Sequence, residues 1–386
     1  MKPKNRFFII TFAAILLLPL SGVLSQTSIS VSQNLSYFSN SFYNYKQLPD
    51  LNDNIGLSIS HFFEGEKIQS QLYYQGDLNL FQHYSDRLYH NQTFGYDGYS
   101  VSSDEKKILY FGGNLSWHDG QQDYNTFDYW KLQGYINSKV SFRENLIGRF
   151  GYILNNKSYS DLPEFSYWEH VLFAQFNTFF QTGTSITLSF NYGLKDYISL
   201  QTSEGKGRGR QVSIDYFEMP GVDQLVSNFK LAQSLGNKTS LSIDFVNRLN
   251  PGLATGSAAV IDNENLFTED ELFDDRYGYN GQELSVLFTH YLPAYVKLQF
   301  GGSRFWKNYQ NRNIYDFEGT SALTGETRVN NRFIGWLELS RTFLVNWGIK
   351  SLGVSLQGGY LKNDSNDSYY QFDNYFGTVG LEFKRK

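Results

Sequence analysis

Along almost the whole chain, apolar side chains keep returning at alternate positions, in segments of nine to fourteen residues separated by polar connections. In the segment 185–198, Ile186, Leu188, Phe190 and Tyr192 alternate with Thr187, Ser189 and Asn191. In 68–81, Leu72, Tyr74, Leu78 and Leu80 oppose Gln69, Gln71, Gln75, Asp77 and Asn79. In 129–142, Trp130, Leu132, Ile136, Val140 and Phe142 oppose Lys131, Gln133, Asn137 and Lys139. A period of two sends successive side chains to opposite faces of a strand, so each of these strands has one apolar and one polar surrounding.

The connections alternate as regularly as the side chains. Short turns such as 64–67, 143–145, 181–184 and 236–238 carry the Gly and Asn residues of tight reversals. The long connections are 40–53, 82–91, 118–128, 157–165, 199–222, 250–281, 308–330 and 363–373. About sixteen strands are legible; the segment 93–101 is the weakest, and losing its hairpin would leave fourteen. The last strand, 374–383, sets Tyr375, Gly377, Val379, Leu381 and Phe383 on one face and Phe376, Thr378, Gly380 and Glu382 on the other. It resembles the closing strand of bacterial outer-membrane β-barrels, which the barrel-assembly machinery reads through a terminal aromatic. Here Lys384, Arg385 and Lys386 follow Phe383. The fold expected is all-β: a transmembrane antiparallel barrel with short turns on one side, long loops on the other, and both termini on the short-turn, periplasmic side.

A soluble sandwich or propeller would also alternate, with its apolar faces as core. Aromatic residues make up 18% of the chain, and their placement argues for the membrane. Phe62, Phe63, Phe142, Phe179, Phe180, Tyr291, Tyr295, Phe343 and Trp347 lie beside short turns. Tyr124, Phe127, Tyr129, Trp130, Phe165, Tyr167 and Trp168 lie beside long loops. Two belts one strand apart look like interfacial girdles. A mean hydropathy of −0.42 leaves no room for a helical span after the N-terminal segment.

That segment, residues 1–25, reads as a secretory signal: Lys2, Lys4 and Arg6, then the apolar run 7–20, then small residues before Gln26. The run is shorter than the ~20 residues a spanning helix needs. The barrel is then 26–386. No cysteine is present, which excludes disulfides and lipid attachment through a thiol. Without the three basic residues of the signal, 30 Lys and Arg stand against 38 Asp and Glu, a net charge of −8. A mildly acidic chain with no basic arm argues against nucleic acid as a partner.

The polar faces carry Lys131, Lys139, Arg149, Lys195, Lys230, Arg248 and Lys297, with Asp77, Asp244, Glu283, Glu338 and Glu382 among the acids. The plainer reading is that these charges pair across a wet lumen. The sharper one is a basic wall favouring anionic solutes. The loop 250–281 is acidic, with Asp262, Glu264, Glu269, Asp270, Glu271, Asp274 and Asp275. Thr268 and Glu271 fit a capping box there. It is either a surface loop or a constriction facing the basic stretch 206–210. Tyr124, Phe127, Tyr129, Tyr369, Tyr370 and Phe372 could stack on a glycan or hold a protein partner. His83, Ser85, Asp86 and His90 at the rim supply ingredients of an acid–base or metal site, but no nucleophile motif, P-loop or zinc signature accompanies them.

The function expected is therefore a porin-like channel for passive passage of small polar solutes, set in lipid and lipopolysaccharide, with no cofactor and no metal. The alternatives are an occluded surface or scaffold barrel whose loops bind a glycan or protein, and, third, a rim hydrolase. No plug precedes the first strand, which argues against an energy-coupled receptor.

Overall fold

The computed structural model describes residues 26–198, 200–203, 214–217, 221–251, 276–314, 325–345 and 350–385. Sixteen antiparallel strands close into one barrel: β1 (Thr27–Phe38), β2 (Asp50–Glu64), β3 (Gln69–Phe81), β4 (Tyr89–Val101), β5 (Lys107–Gly120), β6 (Tyr129–Arg143), β7 (Leu146–Tyr159), β8 (Tyr167–Phe179) and β9 (Thr184–Tyr197) form the first part. β12 (Val222–Ser234), β13 (Thr239–Leu249), β14 (Asn280–Tyr291), β15 (Lys297–Asn313), β16 (Thr327–Leu344), β17 (Ser351–Ser365) and β18 (Phe372–Arg385) complete it. Two further short strands, β10 (Leu200–Ser203) and β11 (Ile214–Phe217), pair with each other in the connection between β9 and β12 and stay outside the barrel sheet.

Closure is made by the first and last strands. β1 and β18 pair from Ile29 opposite Arg385 to Phe38 opposite Phe376. Both described ends of the chain therefore lie at the end of the barrel that carries the short turns. An even strand number is what lets β1 meet β18 antiparallel.

Cross-strand partners share a face, so the registers carry one parity right round the sheet. Leu188 stands beside Phe176 and Phe229, Phe190 beside Ala174 and Ser227, Tyr192 beside Leu172 and Leu225. This outer surface exposes large apolar groups throughout: Leu172 is 58% exposed, Phe300 59% and Leu356 56%. A continuous apolar exterior of this extent is a lipid-facing surface, since soluble monomers keep such patches small. Ser189, between Leu188 and Phe190, faces inward beside Gln175 and Asn228.

On the inner face, aromatic rings lie flat against the wall where a glycine makes room. A Cβ on Gly301 would come within 2.5 Å of the Trp336 ring, and one on Gly151 within 2.6 Å of the Phe173 ring. A larger residue at either position would push its ring into the lumen. At the short turns, Gly183 and Gly236 hold φ of +76° and +108°, the left-handed backbone that favours glycine.

The strands run further on the loop side than their hydropathy indicates. β2 begins at Asp50, β4 at Tyr89 and β16 at Thr327, while β7 reaches Tyr159, β15 Asn313 and β17 Ser365. There the outward positions turn polar, as at Asp53, Asp119 and Asp364, so the alternation fades. Backbone pairing is indifferent to that change and continues. The aromatic belts also divide by parity. Trp117, Trp130 and Trp168 face outward in register, whereas Tyr129 and Tyr167 face inward. Beside the short turns Phe63 and Phe343 face out, but Phe62, Phe179 and Tyr291 fall on the inward parity. Trp347, the capping box at Thr268 and Glu271, and the basic stretch 206–210 lie outside the described residues.

An arginine at Leu188 or Phe190 should lower the yield of folded barrel in refolding into bilayers, because a cation facing lipid near the midplane costs ~2–4 kcal/mol. Ser189→Arg should refold like the wild type. Gel mobility with and without heating reads the folded fraction, and equal damage at both parities would contradict the facing.

Candidate functional site

The inner wall is knit by polar side chains that meet across strands. Asn114 donates to Gln133 at 3.1 Å, Gln133 to Asn155 at 2.8 Å, and Asn155 to Glu169 at 2.8 Å. These four stand directly opposite one another on β5, β6, β7 and β8. A second chain crosses β2 to β5: Asn54 donates to Asn79 at 3.0 Å, Asn79 and Asn91 both donate to Asp77, and His118 meets Asn91 at 2.8 Å. Amides suit such ladders because each carries both donors and acceptors.

Glu169 is the junction between the wall and the loop-side mouth. It is only 5% exposed and receives the Tyr277 hydroxyl at 2.6 Å, the Arg276 guanidinium and the Asn155 amide. Asn250 donates to the carbonyls of Tyr277 and Tyr279 at 2.9 and 2.7 Å, and Gln224 donates to Asn250 at 2.9 Å. The described exit leg of the 250–281 connection, residues 276–279, is thereby pinned against the inward side chains of β8 and β12.

Around the same mouth, five buried cations sit on aromatic faces. Lys157 Nζ is 3.7 Å from the Tyr129 ring centre and 4.8 Å from that of Tyr159. Lys195 lies 4.0 Å from Tyr167 and 4.9 Å from Tyr197. Lys307 lies 4.6 Å from Tyr279, and Arg328 is held between Tyr309 at 3.6 Å and Tyr370 at 3.8 Å. Arg87 is sandwiched 4.4 Å from both Phe42 and Phe81, and donates to the Ser41 hydroxyl at 2.9 Å. Each such contact contributes ~0.5–2 kcal/mol where water is excluded. Together they form a collar that ties loop backbone to strand ends.

The collar accounts for the aromatic residues singled out above as loop binding candidates. Tyr129 is covered by Lys157 and stacks on His118 at 5.3 Å. Tyr370 covers Arg328, Tyr369 packs on Tyr370 and Tyr45, and buried Phe372 meets Tyr43 edge-on at 5.9 Å. Phe127 is buried and Tyr124 half-buried in the short helical turn before β6. The rim histidines are likewise engaged. Asp50, 1% exposed, accepts backbone N–H groups of Leu51, Gln82, His83 and Tyr84, and His83 Nδ1 lies 3.3 Å from it. His90 Nε2 pairs with Asp119 at 3.0 Å. Among the described residues no group of three His, Asp or Glu is placed to hold a metal ion.

The register puts Lys131, Lys139, Arg149, Lys195, Lys230, Asp244, Arg248, Lys297 and Glu338 all on the inward parity. The expectation that these charges pair with one another is not met for most of the cations. Ion pairs of the inner wall include Arg276 with Glu169 and Lys384 with Glu382 at 3.0 Å, and His83 Nδ1 lies 3.3 Å from Asp50. Among the described residues, none involves Lys131, Lys139, Arg149, Lys230, Arg248 or Lys297. Instead, Asp244 accepts from Asn228 at 2.6 Å, and Arg149 lies 5.6 Å from the Tyr110 ring. Carboxylates and cations separate over part of the wall only: from β12 to β16 both face inward, with Asp244 directly opposite Lys230 and with Arg248, Glu283, Lys297 and Glu338 on the following strands. Between β18 and β4 the inward charges are Glu382 with Lys384, then Asp50, Glu64, Asp77 and Asp97. From β6 to β12 they are cations apart from Glu169. Lys157, Lys307, Arg328 and Arg332 also face inward; they sit in stretches that read as loop or as strand ends, and only the continued backbone pairing places them.

No family model and no curated protein matches this sequence. Solved structures do. CdiB from Acinetobacter baumannii aligns with a TM-score of 0.51 at 11% identity, over 93% of this chain and 60% of that one. OprD from Pseudomonas aeruginosa aligns at 0.47 and 11% identity over 93% and 94% of the two chains. OccK5 (OpdH) from the same organism aligns at 0.46 and 11% over 95% and 99%. At this identity the likeness is one of fold: a closed antiparallel β-barrel.

Glu169→Gln should lower stability by about 1–3 kcal/mol, since it weakens charge-assisted bonds at a buried site. Urea unfolding of the refolded barrel measures this, and an unchanged midpoint would remove Glu169 as the junction. Outside the spanning strands, burial pushes the Asp128 carboxyl up to about 6; the Gly120 N–H opposes the rise, and Asp119 and Asp161 add to it. The folded value lies above the ordinary ~3.9, so the folded state takes up this proton first. The stability linked to it is full below pH ~4 and lost as pH rises through about 6. Relative to Asp128→Asn, the wild type should therefore lose resistance to urea between pH 4 and about 7.

Proposed function

We propose that this chain is an outer-membrane channel through which small polar solutes pass passively. The observation that carries the reading is the inner wall: Arg149 and Lys230 point inward yet remain exposed, so solvent-accessible space lies beside them inside the closed sheet. A sixteen-stranded barrel is wide enough to leave an aqueous path. The ladders of Asn, Gln, Ser and Thr make that path wettable, and no described constellation at the rim supplies a nucleophile with its base.

On this reading residues 1–25 direct export and are removed, both barrel termini lie in the periplasm, and β18 with Phe383 is the segment the assembly machinery engages. The outward tryptophans Trp117, Trp130 and Trp168 sit at the outer interface, and lipopolysaccharide surrounds the polar strand ends beyond them. A second reading, a closed surface barrel, draws on residues 276–279, which lead the 250–281 connection against the inner wall. The caging of Tyr129, Tyr370 and Phe372 weighs against these rings serving as an open platform for a glycan.

Planar-bilayer recording of the refolded mature protein separates the two. A channel gives steady single-channel steps that grow with bulk salt conductivity. A barrel that is folded by gel mobility and stays silent would overturn the channel reading.

A further inference from the structure

Two pairs of like charges face each other directly on the inner wall. Lys139 on β6 stands opposite Arg149 on β7, and Lys131 stands opposite Lys157 on the same two strands. Directly opposed positions place Cβ atoms ~4.5–5.5 Å apart, and like charges there disfavour the sheet. The two pairs are not equivalent. Lys157 is 2% exposed and covered by Tyr129 and Tyr159, which leaves its partner Lys131 near the caged mouth. Arg149 is exposed and Lys139 half-exposed, and no ion pair engages either one among the described residues.

The surroundings of the second pair are donors or neutral groups. Gln175 continues the row beyond Arg149, Asn137 and Ser141 flank Lys139 on its own strand, and Asn177 neighbours Ile147. The inward faces of β5, β6, β7 and β9 carry no carboxylate, and that of β8 carries only Glu169, at the loop end and already engaged. An ammonium and a guanidinium side by side, facing solvent, with Glu169 at the loop end of β8 the one inward acid from β5 to β9 among the described residues, match the charge and reach of an oxyanion with more than one negative oxygen.

We infer that Lys139 and Arg149 form an anion-binding site on the lumen wall for solutes bearing polyvalent carboxylate or phosphate groups. The inference rests on the channel reading for its transport role but not for binding itself. At the site the anion bridges the two cations, so their mutual repulsion becomes shared attraction and monovalent cations are held off that wall. Coulomb attraction of this kind is screened over ~8 Å at physiological salt, so the effect weakens as salt rises.

The test uses the mature barrel in two settings. In detergent, citrate and inorganic pyrophosphate are titrated calorimetrically against wild type, Lys139→Gln/Arg149→Gln and Lys139→Glu/Arg149→Glu. In bilayers, the reversal potential under a KCl gradient gives the ratio of anion to cation permeability. The wild type should bind both probes, and the Gln pair should weaken binding roughly tenfold. The Glu pair should abolish binding and lower the permeability ratio by roughly threefold or more. Binding by citrate alone or pyrophosphate alone, lost in both variants, still supports the site and identifies the favoured group. A silent barrel that binds and loses binding in the variants supports the site while refuting the channel. Equal binding in all three folded proteins overturns the site, whatever the conductance.

Discussion

Everything in this structure depends on closing the sheet. In hydrocarbon an unpaired backbone N–H or C=O has no water to turn to, and an open strand edge would expose a row of them. The pairing of β1 with β18 from Ile29 to Phe38 removes the last edge. Closure in turn enforces parity: a slip of one residue anywhere would carry a strand's apolar set into the lumen and its amides into lipid. The period of two is thus the local expression of a global constraint.

Parity then decides what the same residue types do. At the loop side, neighbouring aromatics go opposite ways: Trp130 outward against Trp117 at 5.2 Å, Tyr129 inward under Lys157. The outward set can sit in an interface because an indole tolerates lipid and headgroup alike. The inward set does a different job, covering cations that burial would otherwise penalise. The loops are thereby anchored through side chains of the strands, not only through their own turns.

This explains what could be read in advance. The strand count, the facing of Leu188 against Ser189, the inward parity of Lys131 through Glu338 and the short-turn position of both ends follow from alternation and connection length alone. Strand ends did not, because Asp53 and Asp364 interrupt the hydropathy pattern while the backbone ladder ignores them. Nor did the partition of the belts: sequence density of Tyr and Trp looks the same whether rings face lipid or cover a lysine. The expectation that lumen charges pair holds for Arg276 with Glu169 and Lys384 with Glu382, and not for Lys139 and Arg149. Register, which a single strand does not reveal, sets Lys139 opposite Arg149 instead of opposite an acid.

The contrast between the two basic pairs is the most informative feature of the wall. A cation placed deep in packing must be covered, and Lys157, Lys195, Lys307, Arg328 and Arg87 are. Their charge is spent on rings and on the loops they hold. Lys139 and Arg149 carry equal charge on the same sheet but keep it facing solvent, beside amides that can only add donors or neutral acceptors. Cover at the mouth and exposure further in mean that a solute entering from the loop side meets a collar of muted charge first and the solvent-facing Lys139–Arg149 pair later. On the proposed reading, selectivity is therefore set on the β6–β7 wall inside the barrel, and the mouth serves chiefly to keep that path in shape.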